Sequence, residues 1–281
     1  MTATASDTAP TTAPTTAPTT APTATGDATT PSGGQSPVVH VGNMVKQFGE
    51  VTAVTDLTLD LHHNEFVSVV GASGCGKSTL LSIIAGLEEA TSGVVEINGE
   101  PVDGPGRDRG VVFQSATLLP WLTVRDNVLF ALRGEEGMSR TERKQVADDH
   151  LHLVGLDGFG DKFPNQLSGG MQQRAALARS LSYRPRVLLM DEPFGALDAL
   201  TRRSMQALLT RIWEEHKLTV MLITHDIEEA VYTADRVVIM SSRPGTVKRE
   251  VPVNLPRPRD TSVTMSPEFR DLYADIMSEF Q

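Results

Sequence analysis

Three clusters of residues in this sequence have the types and spacing that phosphate chemistry requires. The first is Gly71-Ala72-Ser73-Gly74-Cys75-Gly76-Lys77-Ser78, with Thr79 behind it. It fits the pattern of a glycine, four variable residues, Gly-Lys and a hydroxyl residue, and it lies between an apolar run and a helical period. Glycines there let backbone N–H groups converge on an anion, and the following helix adds its positive N-terminal end. Lys77 is placed to reach terminal phosphates and the Ser78 hydroxyl to ligate Mg²⁺, which reads as a nucleoside triphosphate site. Within the loop, Cys75 reads as a small filler residue rather than a redox switch. The second cluster is Asp191-Glu192-Pro193, directly after the apolar run Val187–Met190. Carboxylates at the end of a buried strand are costly unless they meet a metal or a proton-transfer partner. Asp191 is therefore assigned to the metal, through water, and Glu192 to polarising the attacking water. The third is Leu167-Ser168-Gly169-Gly170-Met171-Gln172-Gln173-Arg174. Alone it describes only a helix capped by Ser168; beside the other two it becomes diagnostic.

These residues need elements to hold them. Strands are expected at Val38–Val45, Val54–Leu61, Phe66–Val70, Val94–Ile97, Gly110–Phe113, Val187–Met190, Leu218–Ile223 and Arg236–Met240. Helical periods run over Lys77–Gly86, Val124–Leu132, Thr141–Val154, Gly169–Ser182, Ala199–His216 and Ile227–Ala234. Ser139 and Glu142 form a capping box before the third helix. Alternation of strand and helix is the α/β signature. Phe66–Val70, Val187–Met190 and Leu218–Ile223 are nearly all apolar, as central strands covered on both faces must be. Each runs into a Gly-rich, acidic or polar segment, so the chemistry collects at strand C-terminal ends, where open α/β sheets bind ligands. Between about Gln114 and Leu181 the strand signals vanish, which predicts an inserted helical subdomain over about 115–182. The last 30 residues are mixed and Pro-rich, and their pattern assigns no element.

Composition narrows the function classes. The chain has 281 residues with a formal net charge of −10, so nothing global favours nucleic acid or anionic lipid as a partner. A single cysteine, Cys75, excludes an intramolecular disulfide framework. Residues 1–37 contain 13 Thr, 8 Ala and 6 Pro, with no Lys, Arg, Val, Ile, Leu or aromatic residue. With nothing to bury against the entropy of ordering, this segment is expected to be a disordered arm. It lacks the basic start and apolar stretch of a secretory signal. No run approaches the ~20 apolar residues that cross a bilayer.

Taken together, the three clusters resemble the ATP-binding subunit of an ATP-binding-cassette (ABC) transporter. Two further positions agree: Gln114, after Gly110–Phe113, and His225 in Thr224-His225-Asp226, after Leu218–Ile223. Phe194-Gly195-Ala196-Leu197-Asp198 matches the segment that follows the acidic pair in that family. The resemblance spans Val38 to Arg249. It implies a P-loop NTPase fold of ABC type: a mixed-sheet core, an antiparallel β part and the inserted helical subdomain. The domain would cover 38–255, with 256–281 a C-terminal extension.

The resemblance also implies roles. Two copies would sandwich two ATP molecules head to tail, each ATP on one copy's phosphate loop and under the other's Ser168-Gly169-Gly170. His225 would contact the γ-phosphate, Asp198 would link the two sites, and Gln114 would join Ser78 and Asp191 around Mg²⁺. Phe48, in Lys46-Gln47-Phe48-Gly49, falls where the family stacks an aromatic ring on adenine; core packing is the alternative. The stretch Leu118-Leu119-Pro120-Trp121-Leu122-Thr123-Val124-Arg125-Asp126-Asn127-Val128, together with Ser242-Arg243-Pro244-Gly245, resembles importers of nitrate, sulfonates, taurine or bicarbonate. That implies a separate transmembrane permease, an extracytoplasmic solute-binding protein, and a peripheral position on the cytoplasmic face of the membrane. Trp121 is either an anchor for the permease or a packing residue of the helical subdomain. A soluble ABC ATPase of DNA repair or translation is the alternative function; it would show tandem cassettes, a coiled-coil insertion or a basic face, and none is visible.

Overall fold

The computed structural model describes residues 36–280. The expected disordered arm falls, up to residue 35, outside the described residues. Two sheets carry the fold. In the antiparallel one, β1 (Val39–Phe48) pairs with β2 (Val51–Leu61) and β4 (Ser92–Ile97), and the short β5 (Glu100–Pro101) completes the order β2-β1-β4-β5. Asn98 and Gly99, at φ 53° and 78°, turn β4 into β5 as a two-residue hairpin of this composition should.

The second sheet contains β3 (Phe66–Val70), β6 (Arg109–Val112), β7 (Val187–Asp191), β8 (Thr219–Thr224), β9 (Arg236–Met240) and β10 (Val247–Pro252), in the order β10-β9-β3-β8-β7-β6. All neighbours run parallel except β10, which is antiparallel to β9. The three apolar runs lie side by side as β3, β8 and β7. Their alternate residues feed two different cores, which explains why no polar face interrupts them. Val67, Val69, Leu189, Met221 and Ile223 pack with the antiparallel sheet and with Leu80, Leu81 and Ile84 of α1 (Lys77–Ile84). Phe66, Val70, Leu188, Met190, Val220 and Leu222 face the other way. They meet α4 (Gly169–Leu181), α5 (Ala199–His216) and α6 (Ile227–Thr233). Edge-on contact of Phe66 with Trp213, centroids 6.0 Å apart, is part of that layer.

Helices α2 (Val124–Ala131) and α3 (Arg140–Leu153) pack on α4 through Val124, Val128, Ala147, Leu151 and Ala175. Both arms of the Ser139–Glu142 capping box form. Buried Asn127 ties down the chain before α2, accepting from Leu119 N and donating to the carbonyls of Leu119, Leu122 and Thr123. That brace leaves Trp121 70% exposed, so it is not a packing residue of these helices.

Three elements were not anticipated. β5 has two residues, and β10 reads Val-Lys-Arg-Glu-Val-Pro, a charged edge strand without an apolar pattern. The third is α7 (Pro267–Ser278), whose buried Phe269 and Ile276 join the core that also contains Val251, Val253 and Leu255. None of the described helices is long and apolar enough to cross a membrane.

Candidate functional site

Four adjacent parallel strands deliver the expected groups to one end of the sheet. In spatial order, β3 leads to the Gly71–Gly76 loop, β8 to His225, β7 to Asp191 and Glu192, and β6 to Gln114. Parallel pairing in register, Val70 with Thr224 and Asp191 with Ile223, aligns these ends although they are far apart in sequence.

The loop is shaped for an anion. Gly74 and Gly76 adopt φ 74° and 103°, which residues with a Cβ rarely reach. A Cβ on Gly76 would lie 2.7 Å from Val54 Cγ2, so steric crowding also demands glycine. Gly76 caps α1 with no side-chain hydrogen bond, leaving the first-turn N–H groups to a ligand. Lys77 is buried, and its ammonium donates to the carbonyls of Gly71 at 2.8 Å and Ala72 at 3.1 Å. The lysine is thus folded across the loop it serves. Cys75 is buried beneath the loop, its Sγ where a Cβ on Gly71 would come within 2.7 Å, consistent with a filler residue.

The Ser78 hydroxyl donates to Asp191 Oδ1 at 3.1 Å. Burial pushes the Asp191 carboxyl above its ordinary range and Glu192 beside it adds to the rise; the Ser78 hydrogen bond and Lys77 oppose it. A carboxylate so placed gains from a cation. Glu192 adopts φ 44°, unusual for a non-glycine residue, and its N–H donates to Ile223 O at 2.9 Å while its carbonyl accepts from Gly195 N at 3.1 Å. The strained backbone aims the carboxylate at His225, whose Nδ1–H donates to Glu192 Oε2 at 3.0 Å. Gln114 joins them: a Cβ on Gly195 would lie 3.3 Å from Gln114 Nε2 and 3.8 Å from Glu192 Oε2.

A cleft of about 630 Å³ opens here, walled by Phe48, Val51, Ala53, Ser73, Gly74, Gly76 to Thr79, Glu192, His225 and Arg243, while Gly71, Ala72, Cys75, Gln114 and Asp191 do not line it. Phe48 is 48% exposed and is therefore not a core residue; the Lys46 ammonium sits 4.7 Å over its ring. Lys46 is itself held by Glu88 and the Glu89 carbonyl. Phe48, Ser73, Gly74, Gly76, Lys77, Ser78, Thr79, Glu192 and His225 thus share one cavity.

Ser168, Gly169, Gly170 and Asp198 are not part of it. Ser168 caps α4, its hydroxyl accepting from Met171 N at 3.3 Å. Asp198 caps α5 through Leu200 N and Thr201 N, and these bonds, Thr201 foremost, hold its carboxyl below the usual range. The two helix N-termini adjoin: a Cβ on Gly170 would meet Thr201 Cγ2 at 2.3 Å, and a Cβ on either Gly169 or Gly170 would lie 4.0 Å from Leu197 Cδ2. Sequence reasoning missed three wall residues, Val51, Ala53 and Arg243. No local spacing marks them; β2 and the turn after β9 bring them to the loop.

The family model for ABC transporters matches residues 54–195. Among curated proteins, the nitrate import ATP-binding protein NrtD of Synechocystis sp. is 49% identical over 236 residues, 82% of this chain and 88% of that protein. The bicarbonate transport ATP-binding protein CmpC of the same organism is 45% identical over 247 residues, 85% of this chain and 37% of CmpC. Among solved structures, the dimeric ATP-binding cassette MJ0796 in a post-hydrolysis state with ADP and Pi superposes with a TM-score of 0.68 at 36% identity, covering 77% of this chain and 99% of that one.

Proposed function

Starting from the fact that this chain is an ATP-binding protein of the ABC transporter family, an ATPase, we propose that it powers import of a small anion and that its ATP sites are shared between two copies. The solute class follows the relatives named for nitrate import and bicarbonate transport; sulfonates and taurine rest only on the resemblance of residues 118–128 and 242–245. The observation that carries the shared site is the placement of Ser168, Gly169, Gly170 and Asp198 outside the cleft that holds Lys77 and Glu192. A site needing both halves is completed by a second copy, arranged head to tail; the related cassette of solved structure is dimeric.

In this reading the adenine stacks on Phe48, and the phosphates lie along the N–H groups of the loop from Gly71, Ala72 and Ser73 to Ser78 and Thr79. Lys77 exchanges its two carbonyl partners for phosphate oxygens, a stronger charge-assisted bond. From the other copy, Ser168 and Gly170 of the partner subunit offer a hydroxyl and a helix N-terminus to the γ-phosphate. Asp198, capping α5 beside that end, fixes its position against the opposite site. A hydroxyl, a carboxylate and an amide carbonyl are the hard oxygen donors that Mg²⁺ accepts, so Ser78, Asp191 (through water) and Gln114 would hold it. Bound there with ATP, Mg²⁺ would neutralise charge on the phosphate oxygens.

Glu192 accepts the proton as water oxygen attacks the γ-phosphorus and the bond to the β,γ-bridging oxygen breaks. His225, paired to Glu192 through Nδ1, turns its Nε2 to the γ-phosphate and keeps the carboxylate aimed. Because Gln114 stands between this chemistry and the segment leading to Trp121, closure of the pair is transmitted there. Exposed Trp121 beside Pro120 is a rigid apolar anchor for a transmembrane permease. Docked so, the subunit is peripheral on the cytoplasmic face, with an extracytoplasmic solute-binding protein delivering the anion. The test is transport: vesicles containing this chain and its permease, with the solute-binding protein outside and ATP inside, should take up labelled nitrate, bicarbonate or taurine. Uptake that survives Glu192→Gln would refute the coupling.

A further inference from the structure

The Ser241–Thr246 turn after β9 reaches the outside of the phosphate loop, 169 residues from Gly74 in sequence. There the Arg243 guanidinium donates through Nε and Nη2 to the Gly74 carbonyl, at 3.2 and 3.1 Å. Gly245 comes so close that a Cβ would sit 2.0 Å from the Cys75 carbonyl oxygen. The turn is itself fixed. Ser241 Oγ donates to Pro244 O and accepts from Thr246 N, Gly245 N donates to Ala53 O, and Thr55 N donates to Gly245 O. One short segment thus fastens the phosphate loop to β2.

The peptide unit joining Gly74 to Cys75 is planar, so its C=O and N–H point in opposite directions. Arg243 takes the carbonyl from outside. The N–H on the other side points across the loop, to Ala72 O at 3.3 Å. Holding that carbonyl with a charged donor fixes the orientation of the N–H and polarises it toward an anion. Arg243 is exposed, lines the nucleotide cleft and, among the described residues, takes part in no ion pair, so its charge also adds to the potential there.

From this geometry we infer that Arg243 is a positioning residue for nucleotide di- and triphosphates: it sets the Gly74–Cys75 peptide so that the Cys75 N–H can exchange the Ala72 carbonyl for a β-phosphate oxygen. The inference rests on the ATP-binding reading of the cleft and adds a second cation to Lys77. It also gives the Ser242-Arg243-Pro244-Gly245 motif a physical task.

The test is Arg243→Gln in the full chain, with binding of radiolabelled ATP, ADP and AMP measured by equilibrium dialysis and the Cys75 amide followed by NMR without nucleotide. Loss of one charge-assisted bond corresponds to about a tenfold change. ATP and ADP should weaken about tenfold, AMP should bind as before, and the Cys75 amide resonance should move in the nucleotide-free protein. Unchanged ATP and ADP affinity overturns the inference, as does an equal loss for AMP or an unmoved Cys75 amide. Failure of the wild-type chain to bind ATP, or unaltered binding by Lys77→Ala, would instead overturn the reading of the cleft.

Discussion

The cleft and the Ser168 face are both built on helix N-termini, yet they are finished to different degrees. In the cleft the groups assigned to chemistry have partners in the same chain: Lys77 on two loop carbonyls, Ser78 on Asp191, His225 on Glu192. On the other face Ser168 and Asp198 cap only their own helices, and the residues between are small and closely packed. The first region is organised for chemistry before any encounter. The second is organised for presentation, with N–H groups, a hydroxyl and no bulk to obstruct an approaching phosphate. In the shared-site proposal, a protein divided this way hydrolyses ATP only as a pair.

Substitutions can break that contrast one side at a time. Glu192→Gln has the largest expected effect. Steady-state ATP hydrolysis should fall about 10²–10⁴-fold, the worth of a general base, with ATP affinity retained; an ATPase assay of the purified chain at concentrations where it pairs checks it. Lys77→Ala should lower ATP affinity roughly a hundredfold, read by calorimetry, because charge-assisted bonds of ~1.5–3 kcal/mol to the phosphates are lost. On the presenting side, Gly170→Ala drives a methyl into Thr201 and should cost about 1–3 kcal/mol in urea unfolding, leaving ATP affinity of the single chain unchanged.

The last prediction concerns the scaffold between the two regions. Glu229 on α6 lies in a small cavity with Ala199, Arg202 and Gln206 of α5. Burial, with Asp226 adding to it, pushes its carboxyl up to about 8. Unfolded, the group titrates near ~4.3. Between those values the folded state keeps a proton that the unfolded state has lost, so stability falls as pH rises through that window. Glu229→Gln should flatten the decline, seen as a smaller drop in Tm between about pH 5 and about pH 8.

Most of the cleft was legible in the sequence because its residues fall in short runs with fixed local spacing, Gly71–Ser78 and Asp191–Glu192, each ending an apolar strand. The strand order that aligns them was not. It depends on parallel pairings between distant segments, which local patterns do not encode. Arg243 was visible only as part of a motif, since its contact with Gly74 exists through the β3–β9 pairing. α7 did leave a signal, Ser266 as cap, Pro267 at the first turn and Phe269, Leu272, Tyr273 and Ile276 at helical spacing. Prolines at 256 and 258, just upstream, obscured it. β10 left none, because an edge strand with Lys248, Arg249 and Glu250 outward has no alternation to read.

The claim that the two regions complete each other between copies is tested most directly by mass measurement in the hydrolysis-deficient background. Glu192→Gln should convert from monomer to dimer when ATP is added. Adding Ser168→Arg to it should leave ATP affinity intact and the protein monomeric at saturating ATP. A double variant that still dimerises with ATP, or that loses ATP binding as a monomer, would contradict the account.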